Sequence, residues 1–143
     1  MQVNIVWIKY FFPIIIRNLL EHILKYNKHI FICINERSEC STKGDCSSVG
    51  GKEIRMRFVE LINKHALKGK VRANKSGCLD VCEMGPAIVI YPLGVWYTNF
   101  KVSDVDEIFE ASVLNDKIVE RLVSTEQTWQ EIDSIRKKDY ILE

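Results

Sequence analysis

The 143-residue chain predicts an α/β domain in which a βαβ unit is followed by a ββα unit on one sheet covered by helices, with an extra N-terminal helical segment. Three observations predict it. A short β-branched run, HIFICI at 29–34, precedes a stretch of helical periodicity. Two further β-rich runs, Ala87–Tyr91 and Val95–Asn99, flank Pro92-Leu93-Gly94 and read as a hairpin around a Gly-containing turn. Val105, Ile108 and Phe109 then supply the apolar stripe of a closing helix. Hydrophobic residues make up 47% and charged residues 27%, with 7 Gly and 3 Pro, which excludes collagen-like, low-complexity and disordered classes.

Residues 1–27 stand apart from the rest, being rich in Ile, Phe, Tyr and Leu. Lys9 and Arg17 confine the apolar run to Tyr10–Ile16, and Pro13 breaks it within. A membrane span needs about 20 mostly apolar residues, and a secretory signal needs a basic stretch before its apolar region and small residues after it. Neither is expected. Ile16, Leu19, Leu20, Ile23 and Leu24 recur at helical spacing. The segment reads as an accessory helix, suited to a partner groove or a membrane surface, or as an upstream translation of a chain whose natural start lies near Lys28.

His29–Ile34 reads as a buried strand ending at Cys33 or just beyond. Asn35–Gly51 is dominated by Ser, Gly, Asn, Asp and charges and is a loop. Loops beyond about 12–15 residues tend to be functional or disordered, and this one carries Cys40 and Cys46. Ile54, Phe58, Leu61 and Ile62 share one face of a helix spanning Lys52–Leu67, with Gly69 as its stop. Lys70–Lys75 is a second strand, after which Ser76 and Gly77 turn the chain into Cys78-Leu79-Asp80-Val81-Cys82, punctuated by Gly85-Pro86. Ser103-x-x-Asp106 has the form of a capping box for the closing helix. From Lys117 onward the chain is charged and helical in pattern, as in IVERLV. The expected division is therefore an extension at 1–27, a domain at 28–115 and a tail at 116–143.

Lys plus Arg number 20 against 19 Asp plus Glu, a net +1 that leaves no basic surplus for tracking nucleic-acid phosphates. Five cysteines are an odd count in a chain large enough for a core, which argues for a reduced, cytoplasmic protein rather than a disulfide scaffold. Clustered thiols in such a chain serve as metal ligands or redox groups. Their spacing is C33-x6-C40-x5-C46-x31-C78-x3-C82. In a βαβ unit the ends of the first two strands meet at one sheet edge, so the loops holding Cys33, Cys46, Cys78 and Cys82 converge there. On a helical turn, i and i+4 would put Cys78 and Cys82 on one face. Four thiolates suit zinc or an iron–sulfur cluster, and the open first pair lacks the short knuckle usual for structural zinc. His22, His29 and His65 show no ligand spacing with the cysteines, and Asp80 and Glu83 read as solvated charges with no acid–base partner.

The stretch from Lys28 to Leu114 resembles the thioredoxin-like 2Fe-2S ferredoxins, on HIFICINER, the loop leading to Cys46, VRANKSGCLDVCEMGPAIVIYPLGVWY and DVDEI in that order. The resemblance implies a thioredoxin-like fold and an electron carrier without catalytic turnover. It also implies one 2Fe-2S cluster on Cys33, Cys46, Cys78 and Cys82, redox protein partners and a candidate homodimer. Cys40 falls where the family tends to have other residues; it shares a loop with Cys46 and either could reach the iron, but the register of Cys46 with Cys33 and its place before the 47–51 turn match the family, so Cys40 is expected to be a free thiol. The resemblance places a cis proline at Pro86. Trp96 and Tyr97 alternate across a strand, so one ring is expected buried and the other exposed for docking or packing. Backbone N–H groups of the 41–51 and Gly85 turns are candidate donors to sulfur, although Gly44, Gly50 and Gly51 could serve only as turn formers. Electron-input subunits of NADH dehydrogenases share the C-x3-C half, but their first pair is spaced more tightly. A zinc-bound interaction module is a further class; a thiol–disulfide oxidoreductase would need the C-x-x-C motif, which is missing.

Overall fold

A computed structural model describes residues 23–141 together with Ile16, Asn18 and Leu19. Most of the expected N-terminal helix therefore lies outside the described residues. Four strands form one mixed sheet in the order β2-β1-β3-β4. They are β1 (Lys28–Cys33), β2 (Val71–Ser76), β3 (Ala87–Tyr91) and β4 (Val95–Thr98). β1 runs parallel to β2 with Lys28 opposite Val71 and Cys33 opposite Ser76. It runs antiparallel to β3, which pairs antiparallel with β4. The expected parallel first unit and antiparallel second unit are present, with β1 and β2 each displaced by one residue from the stretch that the apolar pattern marks.

α1 (Gly51–Lys64) packs Ile54, Phe58, Leu61 and Ile62 into the core beside Ile30, Ile32, Ile88 and Tyr97. Its end differs from the expected Leu67. Ala66, at φ +53°, reverses the chain, its N–H bonding Asn63 O at 3.1 Å while Leu67 N–H reaches Ile62 O at 2.9 Å. This pair of bonds is a Schellman cap, and Leu67 packs on the core where the cap delivers it. Gly69 has φ +88° but lies beyond that stop.

The hairpin forms as expected, with Gly94 at φ +71° in the turn. A single 3₁₀ turn at Val102–Asp104 leads into α2 (Val105–Ile108), which widens into a π-type turn over Phe109–Leu114. The cap is not the expected Ser103–Asp106 pair: Asp104 accepts the Lys101 N–H at 2.8 Å. Asp106 is instead gripped by both ends of the Arg57 fork, at 2.9 and 2.6 Å, tying α2 to α1.

Residues 118–123 form no helix. Tyr97, fully buried on β4, places its hydroxyl 2.6 Å from Ser112 Oγ and accepts the Val119 N–H at 3.0 Å, which pins this stretch across the sheet. Val123 then bridges Tyr97 and Ser124 N–H bonds Trp96 O at 2.8 Å, so the chain runs along the free edge of β4. α3 (Glu126–Ile141) follows. No helix among the described residues is long and apolar enough to cross a membrane.

Candidate metal centre

All five thiols are free. Cys33 closes β1 and is buried, and its register opposite Ser76 brings the loop after β2 alongside it. Cys46 is buried too, held by a loop that folds back on itself. Asp45 accepts the N–H of Arg37 at 3.1 Å and of Ser48 at 2.7 Å, an Asx-type turn, while Ser47 N–H bonds Asn35 O at 3.0 Å. Cys40, on the same loop, is exposed.

Two glycines make the closeness possible. A Cβ on Gly51 would stand 2.4 Å from Cys33 O and 2.7 Å from Cys46 O, so only glycine lets α1 begin against both cysteine carbonyls. A Cβ on Gly85 would stand 3.0 Å from Cys46 Sγ. The N–H groups of these turns serve the backbone rather than sulfur: Gly50 bonds Ser47 O, Gly51 bonds Cys46 O and Gly85 bonds Cys82 O. Sulfur takes other amides, with Asn35 and Leu79 on Cys33, Ala87 on Cys46 and Asp80 on Cys78, the last at 3.2 Å.

Cys78 and Cys82 do not lie on a helical turn, because Asp80 at φ +62° breaks the run and the 3₁₀ turn begins only at Cys82. Their sulfurs nevertheless stand 3.0 Å apart. Arg37 spans the pair, donating to Cys78 Sγ at 3.5 Å and to Cys82 Sγ at 3.4 Å. The sulfurs titrate unevenly. The proton shared with Cys46 draws Cys33 down to about 6, assisted by its amide donors and Arg37. The same sharing, with burial, pushes Cys46 upward. Burial raises Cys82 against the pull of Arg37.

Among the described residues no three His, Cys, Asp or Glu side chains stand close enough to hold a single metal ion. The thiols gather as two pairs, Cys33 with Cys46 and Cys78 with Cys82, with Cys82 near enough to Cys46 to act on its charge. Two pairs side by side fit a two-iron cluster with two thiolates per iron; one tetrahedral zinc would need all four around one point. The histidines stand elsewhere: His29 stacks on Phe31 with ring centres 4.2 Å apart, and His65 packs on Phe109 at 5.3 Å. His22 lies outside the described residues.

An apolar shell closes the buried side. Val81, Ala87 and Ile132 pack around Cys33 and Cys46, backed by Leu79, Met84, Trp96 and Trp129. Tyr97 is the buried ring of its pair, as alternation requires, but Trp96 is half-buried rather than exposed, edge-to-face with Trp129 of α3 at 5.7 Å and 83°. Glu83 is not a solvated charge. Its side chain is 7% exposed and accepts from Arg136 at 2.8 and 3.2 Å, which holds its carboxyl below the usual carboxylate range. Arg136 also reaches Asp80, bonding its carbonyl at 2.6 Å and its carboxylate at 3.1 Å. Sequence reading missed both arginines. Arg37 left a trace, a lone arginine in the cysteine-bearing loop; Arg136 left none.

The peptide before Pro86 is cis, as the resemblance implies. No protein-family model matches the chain. It is 39% identical over 94 residues to a 2Fe-2S ferredoxin of Clostridium pasteurianum, spanning 66% of this chain and 92% of that one. It is 39% identical over 97 residues to a 2Fe-2S ferredoxin of Aquifex aeolicus, spanning 67% and 87%. The crystal structure of the wild-type thioredoxin-like 2Fe-2S ferredoxin from Aquifex aeolicus superposes with a TM-score of 0.67 at 37% identity, covering 71% of this chain and 99% of that one. With its four-stranded mixed sheet and a relative matched over nearly its whole length, the chain belongs to the thioredoxin-like 2Fe-2S ferredoxin family.

Proposed function

We propose that Cys33, Cys46, Cys78 and Cys82 hold one 2Fe-2S cluster and that the chain passes single electrons between redox proteins without catalytic turnover of its own. The observation that carries this reading is the convergence of two thiol pairs at one sheet edge. When bound, the cluster supplies a one-electron couple whose potential depends on hydrogen bonds to sulfur and on exposure.

This chain's residues set both. Arg37 places positive charge against Cys78 and Cys82, amides of Asn35, Leu79, Asp80 and Ala87 point at sulfur, and half-buried Trp96 and Trp129 pack against the shell of the buried pair. Cys78 is exposed, so the electron has its shortest way in and out at that corner. A partner needs only to approach there. Residues 28–115 act as the ferredoxin domain, and residues 116–143 as its C-terminal tail.

The visible spectrum of anaerobically purified protein, before and after dithionite, tests the reading. Broad sulfur-to-iron bands that bleach on reduction are expected, with about two irons and two sulfides per chain. Protein that stays colourless after reconstitution with iron and sulfide, and that retains zinc, would mark a structural zinc module instead. Alanine at Cys33, Cys46, Cys78 or Cys82 is expected to abolish the bands, and Cys40→Ala to leave them.

A further inference from the structure

The loop carrying Cys78 and Cys82 is gripped from two sides. Arg37 faces its sulfurs. On the other side Arg136, projecting from α3, bonds the Glu83 carboxylate, the Asp80 carboxylate and the Asp80 carbonyl. The two carboxylates differ in setting, with Asp80 at 84% side-chain exposure and Glu83 at 7%. Glu83 directly follows Cys82, so an unpaired carboxylate there would add uncompensated negative charge beside the centre. Lys43 is a further cation acting on it, from farther away. One turn and two turns before Arg136, α3 sets Ile132 and Trp129 into the apolar shell around Cys33 and Cys46.

We propose that α3 is a cover for the metal centre and that Arg136 is its positioning residue, pinning the Cys78–Gly85 loop and cancelling the Glu83 charge next to Cys82. The three residues Trp129, Ile132 and Arg136 lie at spacings of three and four, one face of one helix. A carboxylate desolvated beside a group that gains negative charge on reduction opposes that reduction; a guanidinium bonded to it in a fork removes the opposition. The charge part of this inference rests on the cluster reading above, whereas the pinning part rests on the hydrogen bonds.

Midpoint potential and amide hydrogen exchange of residues 78–85, measured on the full-length chain as purified, test the two parts separately. Arg136→Gln is expected to lower the potential, to speed cluster loss to a chelator several-fold and to raise exchange at 78–85. Arg136→Lys, which keeps the charge but not the fork, is expected to recover the potential while leaving exchange raised. The double variant Arg136→Gln, Glu83→Gln is expected to return the potential close to that of the native chain. Native potential and native exchange in Arg136→Gln would overturn the proposal, and so would a double variant as displaced in potential as the single one. If the protein binds zinc and is colourless, the cluster reading fails by itself, and exchange at 78–85 still decides the pinning: raised in Arg136→Gln supports it, unchanged overturns it.

Discussion

Ala66 holds a left-handed backbone at φ +53° to close the cap of α1, a conformation that costs an L-residue with a Cβ roughly 1–2 kcal/mol. Ala66→Gly is expected to stabilise the fold by about 1 kcal/mol, read as a higher urea midpoint with unchanged slope; a lower midpoint would contradict this account of the cap. Gly51 is the opposite case. Its missing Cβ is what allows two cysteine carbonyls to approach the start of α1, so Gly51→Ala is expected to yield protein without bound metal. Iron and zinc content measured by plasma spectrometry checks this. Arg37→Gln removes the donor shared by Cys78 and Cys82 and is expected to lower the midpoint potential, as titration of the visible bands would show. The cysteines stood out in the sequence because thiols are few and their spacing is countable. Arg37 and Arg136 meet sulfur and carboxylate across 41 to 56 residues of chain, a distance over which no local period speaks.

Elements with a strong internal period were legible. The α1 face of Ile54, Phe58, Leu61 and Ile62 and the run from Ala87 to Ile90 are buried as their patterns require, while Tyr91 ends its strand exposed. Residues 118–123 were misleading because Val119 and Val123 are four apart, a spacing that suits a helix as well as a strap with two anchors. The contest is decided by Tyr97, whose hydroxyl takes the Val119 N–H that a helix would direct elsewhere. Tyr97→Phe leaves that N–H without its acceptor in a buried place, while Ser112 keeps its bond to Lys117 O at 2.8 Å, at a cost of about 1–3 kcal/mol. Thermal unfolding should show the loss, and exchange at Val119 should rise with it. Cys78 and Cys82 were brought together as expected but by a left-handed residue, Asp80, rather than by a helical turn. Such residues have no periodicity to read.

At the scale of the whole chain, several carboxyls titrate below their ordinary range for the same reason. Arg136 lowers Glu83, Arg121 lowers Asp104, and Arg57 lowers Asp106. In the pH interval between the depressed and the ordinary values the unfolded chain binds more protons, so stability rises with pH there. It is fully present above the ordinary carboxylate range near pH 4 and falls away as the pH drops through the depressed values. Melting temperature measured from pH 7 down to pH 2 is expected to decline below about pH 4; a flat profile would mean these pairs contribute nothing to folding.

The sheet order leaves β2 and β4 on the outside, and the two are guarded by different means. β2 carries Arg72 and Lys75, exposed cations that repel a second strand. β4 has no such charges. Its outer rim is occupied by residues 123 and 124 of its own chain. A chain shortened to end at residue 116 would bare that rim, and its unpaired amides and carbonyls would become a template for strand addition between molecules. Sedimentation of the shortened chain should then reveal self-association beyond that of the 143-residue chain, making the stretch that departs most from its helical pattern a safeguard against aggregation.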